Sequence, residues 1–528
     1  MDLSAWNSIR NGFSQFTASR LFSQYAAGAL PEMCTRRATN LSNPAESQLD
    51  NSQMALVDVI TTTRGMCVGI APPGTGKTTA IGVATRMILK SKEAKLVIVA
   101  SVTNIPVGGA LAAIGSSANI RRTRIMSRLA FQQATAEERD LSSVKQARDF
   151  ERWISKGSDN ADLVRVRNEI DEIGQQMKAS INPAEITDLI QKTEEAEKEL
   201  SQLFLTKYQP NVVGITIALL LRYCDLADLK EATHIIIDEA SQLPAYQLLA
   251  LMCALPNLKK TVLVGDPAQL PPHCPFDPRS DVGRTMSWSD MSRLVKLNPR
   301  KVCILNNIYR CHRRITENII RPVYPTPVFS PMKYTDKNGA VVFRMPKAAD
   351  GTPCVLFNVK SRQQVCESEE EAWAIKEFVQ KHLDANHGRL LPTDFVILVY
   401  HRKQRSKLAR MLPPGVPVRT IDGYQGQQAK FVIVSTVKNC RSMDPMAIRE
   451  AMTFVANPHR SLVAVSRSTD ALYIFGNMDQ LAYTRFFEPI VAWARRNGAV
   501  QEVATGRSSA PTRGGDRNNA GRHQPKRQ

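Results

Sequence analysis

Residues 69–80 read GIAPPGTGKTTA, and this stretch decides the fold class. An apolar run leads into it and a helical pattern follows it, so a strand, a loop and a helix are predicted in that order. Gly74 and Gly76 let the backbone come close to phosphate oxygens, with amide hydrogens pointing inward at the start of the helix. Lys77 can place its ammonium between the outer phosphates, and the Thr78 hydroxyl can bind magnesium. The stretch therefore predicts a phosphate-binding loop in an α/β protein with a parallel sheet.

Ala71 stands where the general pattern G-x-x-x-x-G-K-[ST] has its first glycine. It precedes the residues whose amides wrap the phosphates, and its methyl group is tolerated unless the backbone there needs a positive φ. The loop is therefore expected to work. By itself it leaves motor ATPases, GTPases, kinases and transporters open.

Two adjacent carboxylates, Asp238 and Glu239, follow the apolar run HIII. Successive residues at a strand end point in different directions, so Asp238 can hold magnesium while Glu239 polarises an attacking water. On a surface such a pair is more often solvated charge. Behind a buried strand and beside a phosphate loop, it predicts a catalytic pair.

Three polar residues on later loops complete the predicted chemistry. Gln269, in VLVGDPAQLPP, is placed to sense the γ-phosphate, with Asp266 orienting its loop. Arg310 and Arg467 are far apart in sequence and could supply positive charge to a phosphoryl transition state from opposite sides of a cleft. A structural turn and ordinary surface arginines are the alternative reading.

Short apolar runs that end in polar or glycine residues form two sets along the chain, which is typical of buried parallel strands. The proline-rich segment 321–331 lies between the sets and is interpreted as the domain boundary. Two doubly wound parallel-sheet domains are therefore predicted. The runs are LVIVA (96–100), HIIIDEA (234–240), TVLVGD (261–266) and VCIL (302–305), then CVLF (354–357), DFVILVY (394–400), FVIVST (431–436) and ALYIFGN (471–477).

The first domain also carries a predicted helical insertion at about residues 120–210. Apolar residues recur there at spacings of three and four on both sides of Asn182-Pro183, which predicts an antiparallel helical hairpin acting as a packed stalk. The tail lacks apolar periodicity and is expected to be disordered. The predicted parts are an N-terminal extension (1–45), a first domain (46–320), a second domain (321–498) and a basic tail (499–528).

The composition restricts the partners and the compartment. A net charge of +20 favours a polyanion, with nucleic acid the first candidate and an anionic membrane the second. The apolar runs are too short to span a bilayer. Ten cysteines without zinc-ligand spacing predict reduced thiols, no structural zinc and a cytoplasmic or nuclear location.

Nine segments in order resemble the motifs of superfamily-one helicases, most closely the up-frameshift type that acts in nonsense-mediated decay. The resemblance covers roughly residues 48–480. The segments are NSQMA (51–55), APPGTGKT (71–78), VASVTNIPV (99–107), VVGITI (212–217), DEASQL (238–243), GDPAQLPP (265–272), IYRCHRRI (308–315), TIDGYQGQQ (420–428) and NPHRSLVAVSRS (457–468).

The resemblance implies two RecA-like domains that close over ATP and Mg²⁺, with single-stranded nucleic acid across their top. It implies a motor that moves 5′-to-3′ on single-stranded RNA or DNA. We expect the motor to be a monomer, with RNA favoured over DNA, although no motif in the sequence reports the choice between them. Lys77, Glu239, Gln269, Arg310 and Arg467 would be catalytic, and Thr78 and Asp238 would hold the metal. ATP would contact Gln53, Gly74, Thr75, Gly76, Lys77, Thr78, Thr79, Tyr309 and Gln428, and the nucleic-acid backbone would contact Asn104, Thr216 and Thr420.

Three positions depart from the family pattern. Gln428 replaces an acidic ribose contact, which removes a charge but keeps a hydrogen-bond acceptor. Ser101-Val102 and Tyr400-His401 replace an alanine-proline and a proline-tyrosine. Two other classes stay open beside the helicase: a nucleic-acid-binding scaffold with weak catalysis, and a ring-forming protein-remodelling ATPase. The second does not predict GDPAQLPP or TIDGYQG.

Overall fold

A computed structural model describes residues 3–17, 20–30, 48–154, 160–277, 280–331, 343–360, 366–386 and 388–503. The first unit is built on a seven-stranded parallel sheet in the order β3-β4-β2-β5-β6-β1-β7. Its strands are β1 (Gly65–Ile70), β2 (Val97–Ser101), β3 (Arg122–Ile125), β4 (Val212–Thr216), β5 (His234–Asp238), β6 (Lys260–Gly265) and β7 (Cys303–Ile304).

Helices cover both faces of this sheet. They are α1 (Leu3–Thr17), α2 (Arg20–Ala27), α3 (Asn51–Thr62), α4 (Lys77–Lys90), α5 (Asn104–Ile114), α6 (Arg128–Gln133), α7 (Ala136–Asp140), α8 (Ser143–Arg148), α9 (Ala161–Ala179), α10 (Pro183–Tyr208), α11 (Ile217–Arg222), α12 (Ala227–Lys230), α13 (Ala245–Ala254), α14 (Asp281–Met286) and α15 (Asp290–Leu297).

The second unit has a six-stranded parallel sheet in the order β10-β9-β11-β12-β8-β13. Its strands are β8 (Cys354–Asn358), β9 (Phe395–Val399), β10 (Val418–Thr420), β11 (Ala429–Ser435), β12 (Ser468–Gly476) and β13 (Val500–Glu502). Its helices are α16 (Arg313–Ile315), α17 (Glu369–Ala385), α18 (Arg402–Met411), α19 (Pro445–Met452), α20 (Pro458–Val465), α21 (Met478–Leu481) and α22 (Glu488–Arg496).

Alternate residues of each central strand enter opposite cores, which explains the continuous apolar runs. In β5, Ile235 and Ile237 pack in one core of the first unit while Ile236 packs in the core on the other face. In β11, Val432 and Ile433 divide in the same way between the cores of the second unit. A parallel sheet buried on both faces needs apolar residues at nearly every position. The predicted fold class of two doubly wound parallel sheets is confirmed.

The predicted helical hairpin is present as α9 and α10. Asn182 caps α10 through a hydrogen bond from the Ala184 amide, and Pro183 occupies the first helical turn. Leu163 and Val166 on α9 pack with Leu200 on α10 in a separate small core. Because β3 belongs to the main sheet, the helical insertion begins with α6 rather than at residue 120.

The packing places the boundary between the units earlier than the proline-rich segment. Ile308, Ile315, Tyr324 and Val328 belong to a core of the second unit, whereas Leu305 packs in the first. The boundary therefore lies near residues 306–307 instead of 320–321. Prolines marked this segment as a linker, but Tyr324 and Val328, which stand between the prolines, are buried.

Both ends of the described chain join the folded units. In the predicted N-terminal extension, Ala5, Leu21 and Leu30 pack in a core of the first unit. At the other end, β13 adds a strand to the second sheet next to β8. The rest of the predicted basic tail, residues 504–528, lies outside the described residues. Of the helices that the structure describes, none could span a bilayer.

A buried carboxyl group joins α17 to the end of β11. Glu371 Oε1 accepts a hydrogen bond from Ser435 Oγ at 2.6 Å, and its Oε2 accepts one from the Val437 amide at 3.1 Å. Val437 has a left-handed φ of 65°, which is strained for a β-branched residue. Burial raises the pKa of Glu371 to about 8. The group is therefore protonated in the folded protein at neutral pH.

This raised pKa predicts a pH-dependent stability. Between about pH 5 and 8 the unfolded chain releases the Glu371 proton and the folded chain keeps it, so stability falls as pH rises, by at most about 1.4 kcal/mol per pH unit. Glu371→Gln is expected to flatten this part of the profile of Tm against pH. Glu377→Gln, exposed on the same helix, is the control and should keep the wild-type profile. Equal slopes for wild type and Glu371→Gln would contradict the prediction.

Candidate active site

A cleft of about 590 Å³ lies between the two units and gathers most of the predicted site residues. Thr75 does not line it, because its hydroxyl donates to the Pro72 carbonyl at 2.8 Å and its side chain is buried. Predicted residues that line the cleft are Gln53, Gly74, Gly76, Lys77, Thr78, Thr79, Asp238, Glu239, Gln269, Tyr309, Arg310, Gln428 and Arg467.

The loop after β1 has the conformation that a phosphate cradle requires. Gly74 and Gly76 have left-handed φ values of 75° and 77°. Ala71 does not have a left-handed φ. A Cβ atom on Gly74 would stand 2.3 Å from Arg310 Cβ, and one on Gly76 would stand 2.2 Å from Gln53 Nε2. A side chain is therefore disfavoured at both positions by the left-handed backbone, and at Gly74 it is also excluded by space. The alanine at position 71 is compatible with the loop.

Lys77 lies between the two carboxylates. Its Nζ atom is 2.6 Å from Asp238 Oδ1 and 2.6 Å from Glu239 Oε1. Burial alone would lower the pKa of Lys77, but the two carboxylates outweigh burial and raise it, so the ammonium is charged. Burial raises the pKa of Asp238, whereas at Glu239 the attraction of Lys77 outweighs burial and lowers the pKa.

Glu239 itself is held in a strained conformation. Its φ of 54° is left-handed, which costs of order 1–3 kcal/mol for a residue other than glycine and recurs at functional sites. Gln425, from the second unit, donates to Glu239 Oε2 at 3.3 Å. The carboxylate is thus aimed into the cleft and contacts both units. Gln425 is a site residue that sequence reasoning missed, although it stands in the quoted segment TIDGYQGQQ.

The same place fits a divalent cation. Thr78 and Asp238 both line the cleft, and hydroxyl and carboxylate oxygens are the ligands that Mg²⁺ prefers. Asp238 and Glu239 together carry two negative charges, whereas the adjacent Lys77 carries one positive charge. Among the described residues there is no group of three or more histidine, cysteine or acidic side chains that could hold a metal ion.

Two arginines of the second unit enter the cleft. Arg467 is buried and donates from Nη2 to Gln269 Oε1 at 2.7 Å, and Gln269 Nε2 donates to Asp266 Oδ2 at 2.8 Å. Burial and the neighbouring Arg310 lower the pKa of Arg467 to about 9, which leaves its guanidinium charged at neutral pH. A buried arginine, Arg467, beside a half-buried one, Arg310, favours an anion in the cleft.

Gln428 contacts a protein group in the structure. Its Oε1 accepts a hydrogen bond from Arg310 Nε at 2.9 Å, and Arg310 Nη1 also donates to the Ser466 carbonyl at 3.3 Å. Here Gln428 orients an arginine that faces the phosphate loop. An acidic residue at position 428 would form an ion pair with that arginine, and the neutral amide leaves more of its charge available.

The end of the cleft beside α3 contains a second residue that sequence reasoning missed. Asp50 caps α3 and also accepts hydrogen bonds at Oδ2 from Tyr309 Oη at 2.5 Å and Asn307 Nδ2 at 3.1 Å. Gln53 completes the capping box, and its Nε2 donates to the Thr75 carbonyl at 2.9 Å. The spacing D-x-x-Q before an apolar run was the available signal.

We expect Asp50 and Tyr309 to act as one unit in holding the base of a nucleotide. Asp50→Asn keeps a good helix cap but removes the charge of the acceptor. Tyr309→Phe removes the hydroxyl that donates to that acceptor. Each change should raise KM for ATP about 5-fold with a smaller effect on kcat, since one hydrogen bond to a charged group is lost. Asp58→Asn on the same helix is the charge-matched control. Additive effects in the double variant would contradict the coupling.

The three predicted nucleic-acid contacts lie at the carboxyl edges of the two sheets. Asn104 begins α5 directly after β2, Thr216 ends β4, and Thr420 ends β10, so all three stand at carboxyl ends of parallel strands. Asn104 is exposed and Thr216 is buried. Close to Thr420, His401 stacks on Phe454 with ring centroids 5.0 Å apart. The three nucleic-acid contacts remain predictions. The stacked pair of His401 and Phe454 is partly exposed.

A phosphate loop, an acidic pair and arginines from a second parallel sheet define a two-unit RecA-like nucleotide-binding core. Two family models, both described as AAA domains, match residues 185–274 and 286–479, together more than half of the chain. An uncharacterized ATP-dependent helicase of Caenorhabditis elegans is 26% identical over 310 residues, which cover 57% of this chain and 19% of that protein. The regulator of nonsense transcripts 1 of Dictyostelium discoideum is 26% identical over 284 residues, 51% of this chain and 20% of that protein.

The chain belongs to the superfamily-one helicases and is similar to their up-frameshift type. It spans about a fifth of the length of these two curated relatives. Among solved structures, an arterivirus helicase, nonstructural protein 10, is 13% identical, with a TM-score of 0.37 over 80% of this chain and 62% of that chain. A TM-score this low adds nothing to the assignment.

Proposed function

We propose that this chain hydrolyses ATP to move 5′-to-3′ along single-stranded nucleic acid, with RNA favoured over DNA. The observation that carries the proposal is the contact between Gln269 of the first unit and the buried Arg467 of the second, inside the cleft that holds Lys77 and Glu239. Hydrolysis and the relative position of the units can be coupled through this contact.

Each charged side chain has a separate task in this proposal. Lys77 binds the outer phosphates, and Glu239 accepts a hydrogen bond from the attacking water and orients it. Arg310 and Arg467 stabilise the charge that develops on the transferred phosphoryl group. A bound Mg²⁺ would be held by Thr78 and Asp238, and it supplies neutralisation of phosphate charge.

The loop that carries Gln269 gives this coupling a mechanical basis. Ala268 and Leu270, on either side of Gln269, pack against a core of the second unit. His459 lies in the first turn of α20, and its Nδ1 atom is 3.0 Å from the Ala268 carbonyl oxygen. A change at the γ-phosphate position that moves Gln269 therefore acts on the second unit directly. ATP turnover would then shift the nucleic-acid edge of one sheet relative to the other.

The choice of nucleic acid as the polymer along which the protein moves rests on the net charge of the chain and on the family resemblance. The chain carries a net charge of +20, and the predicted contacts at the strand ends suit phosphate and sugar rather than base edges. The direction rests on the family resemblance, and the preference for RNA is decided by the test below. A cytoplasmic or nuclear location is proposed because the nine described cysteines are free thiols.

The test is ATP hydrolysis with no nucleic acid, with single-stranded RNA and with DNA of the same sequence. We expect both strands to stimulate turnover, RNA more strongly. Partial duplexes with a 5′ or a 3′ single-stranded overhang then test direction, and displacement should need the 5′ overhang. Binding without any stimulation of turnover would favour a nucleic-acid scaffold and contradict the motor.

A further inference from the structure

The second unit presents a cationic helix face outside the cleft. Gln404 and Leu408 hold the inner side of α18 against the sheet, and Gln404 accepts a hydrogen bond from the Ser368 amide at 2.9 Å and donates to Ser435 Oγ at 3.2 Å. The opposite side of α18 lines a shallow pocket of about 610 Å³. We call the four cations of this pocket the α18 basic face: Arg402, Lys403, Lys407 and Arg410.

These cations have little compensation inside the protein. Only Lys407 is near an acidic group, with Nζ 3.6 Å from Glu367, and no described residue forms an ion pair with the other three. Arg402 and Lys403 occupy the first turn of α18, which has no acidic residue, and a cation there opposes the helix dipole. The arrangement therefore costs folding stability, and an external polyanion would offset that cost.

The α18 basic face begins beside the predicted nucleic-acid edge. α18 starts three residues after β9 ends, and β9 lies between β10 and β11 in the sheet. Val399 at the end of β9 is the register partner of Thr420 at the end of β10. The first turn of α18 is thus one strand away from Thr420. From there α18 runs back along the sheet, because the next strand, β10, is parallel to β9 and begins at Val418.

We propose that the α18 basic face binds the sugar-phosphate backbone of the nucleic-acid strand where it continues beyond the predicted contact at Thr420. The inference rests on the proposed function, because the same strand is assumed to lie across the sheets. Ten helical residues extend about 15 Å, a length matched by about four phosphates of a stacked strand. Four cations against about four phosphates give charge complementarity. Backbone contacts of this kind bind without reading sequence.

The experiment compares two strand lengths and two quadruple variants. The test variant combines Arg402→Gln, Lys403→Gln, Lys407→Gln and Arg410→Gln. The control makes the same change of charge elsewhere on the second unit, with Lys376→Gln, Lys381→Gln, Arg495→Gln and Arg496→Gln. Fluorescent single-stranded RNA of about 10 and about 30 nucleotides is titrated at several salt concentrations, so that the short strand covers little more than the predicted contacts at Asn104, Thr216 and Thr420.

We expect the test variant to bind the long RNA at least 10-fold more weakly than the control. The slope of log affinity against log salt should fall by about 2–3, at ~0.7 for each lost phosphate contact. Affinity for the short RNA, and ATP hydrolysis stimulated by it, should equal the control. If the test variant binds the long RNA as tightly as the control variant does, the inference is overturned and the proposed function is unaffected. If the wild type binds neither RNA, the proposed function fails as well.

Two further outcomes would also overturn the inference. An equal loss for short and long RNA would place these cations among the contacts that a short strand already makes. Unchanged RNA binding with lost binding to vesicles of anionic phospholipid would assign the face to a membrane surface. A melting temperature for the test variant at or above that of the wild type shows that the fold is intact, as expected when repelling cations are removed.

Discussion

Replacing Glu239 by glutamine is expected to lower ATP turnover about 10²–10⁴-fold while ATP still binds. Glu239 is buried, its Oε1 is 2.6 Å from Lys77 Nζ, and its lowered pKa keeps it ionised at neutral pH. Glutamine has the same shape but cannot take the proton of the attacking water. The strained backbone at this position, with φ of 54°, is retained because the substitution does not change the branching of the side chain.

The measurements are kcat with saturating single-stranded RNA and the affinity for ATP in a separate binding assay. Glu231→Gln is a matched control, because Glu231 is exposed on the same unit and pairs with exposed Lys95. Its kcat should equal that of the wild type. A kcat for Glu239→Gln within about 3-fold of wild type, below the range for loss of a general base, would remove Glu239 from the catalytic role and with it the proposed motor.

The features predicted well from the sequence depend on local geometry. A strand buried on both faces must be apolar at nearly every position, so HIIID and FVIVS could be identified as strands from five residues each. The phosphate loop requires left-handed backbone at two positions, and glycine stands at both, Gly74 and Gly76. The acidic pair was identifiable because it ends such a strand. In each case the required residue types lie within a few positions of one another.

The features that escaped prediction depend on contacts between distant segments. The contact of Gln428 with ATP stays a prediction, but its hydrogen bond to Arg310, 118 residues earlier in the chain, was not predicted. Asp50 had no assigned role, because its bond to Tyr309 joins residues 259 positions apart. Composition also misplaced the boundary, since prolines do not reveal whether the apolar residues between them are buried. Pairings of this kind are set by the order of the strands in the sheet, which apolar periodicity does not specify.

Removing the side chain of Arg467 is expected to separate binding of ATP from its hydrolysis. Arg467→Ala should lower kcat about 10³-fold or more, the effect typical of an arginine that stabilises the charge of phosphoryl transfer. KM should change much less, because Lys77 and the loop glycines still bind the phosphates. The fold should survive, since the substitution also removes a buried cation next to Arg310, although Gln269 Oε1 loses its partner.

The separation is measured by kcat and ATP affinity together with Tm. Arg495→Ala is the control, because Arg495 lies on the surface of the same unit and pairs with Asp479 at 2.8 Å. Gln269→Ala should resemble Arg467→Ala, and the double variant should be little worse than either single one, because the two side chains act through one contact. If Arg467→Ala instead unfolds the protein or raises KM as much as it lowers kcat, Arg467 supports the structure or binds ATP in the ground state. In that case another residue must couple hydrolysis to the second unit. Gln425 is the candidate, because it contacts Glu239 from the second unit.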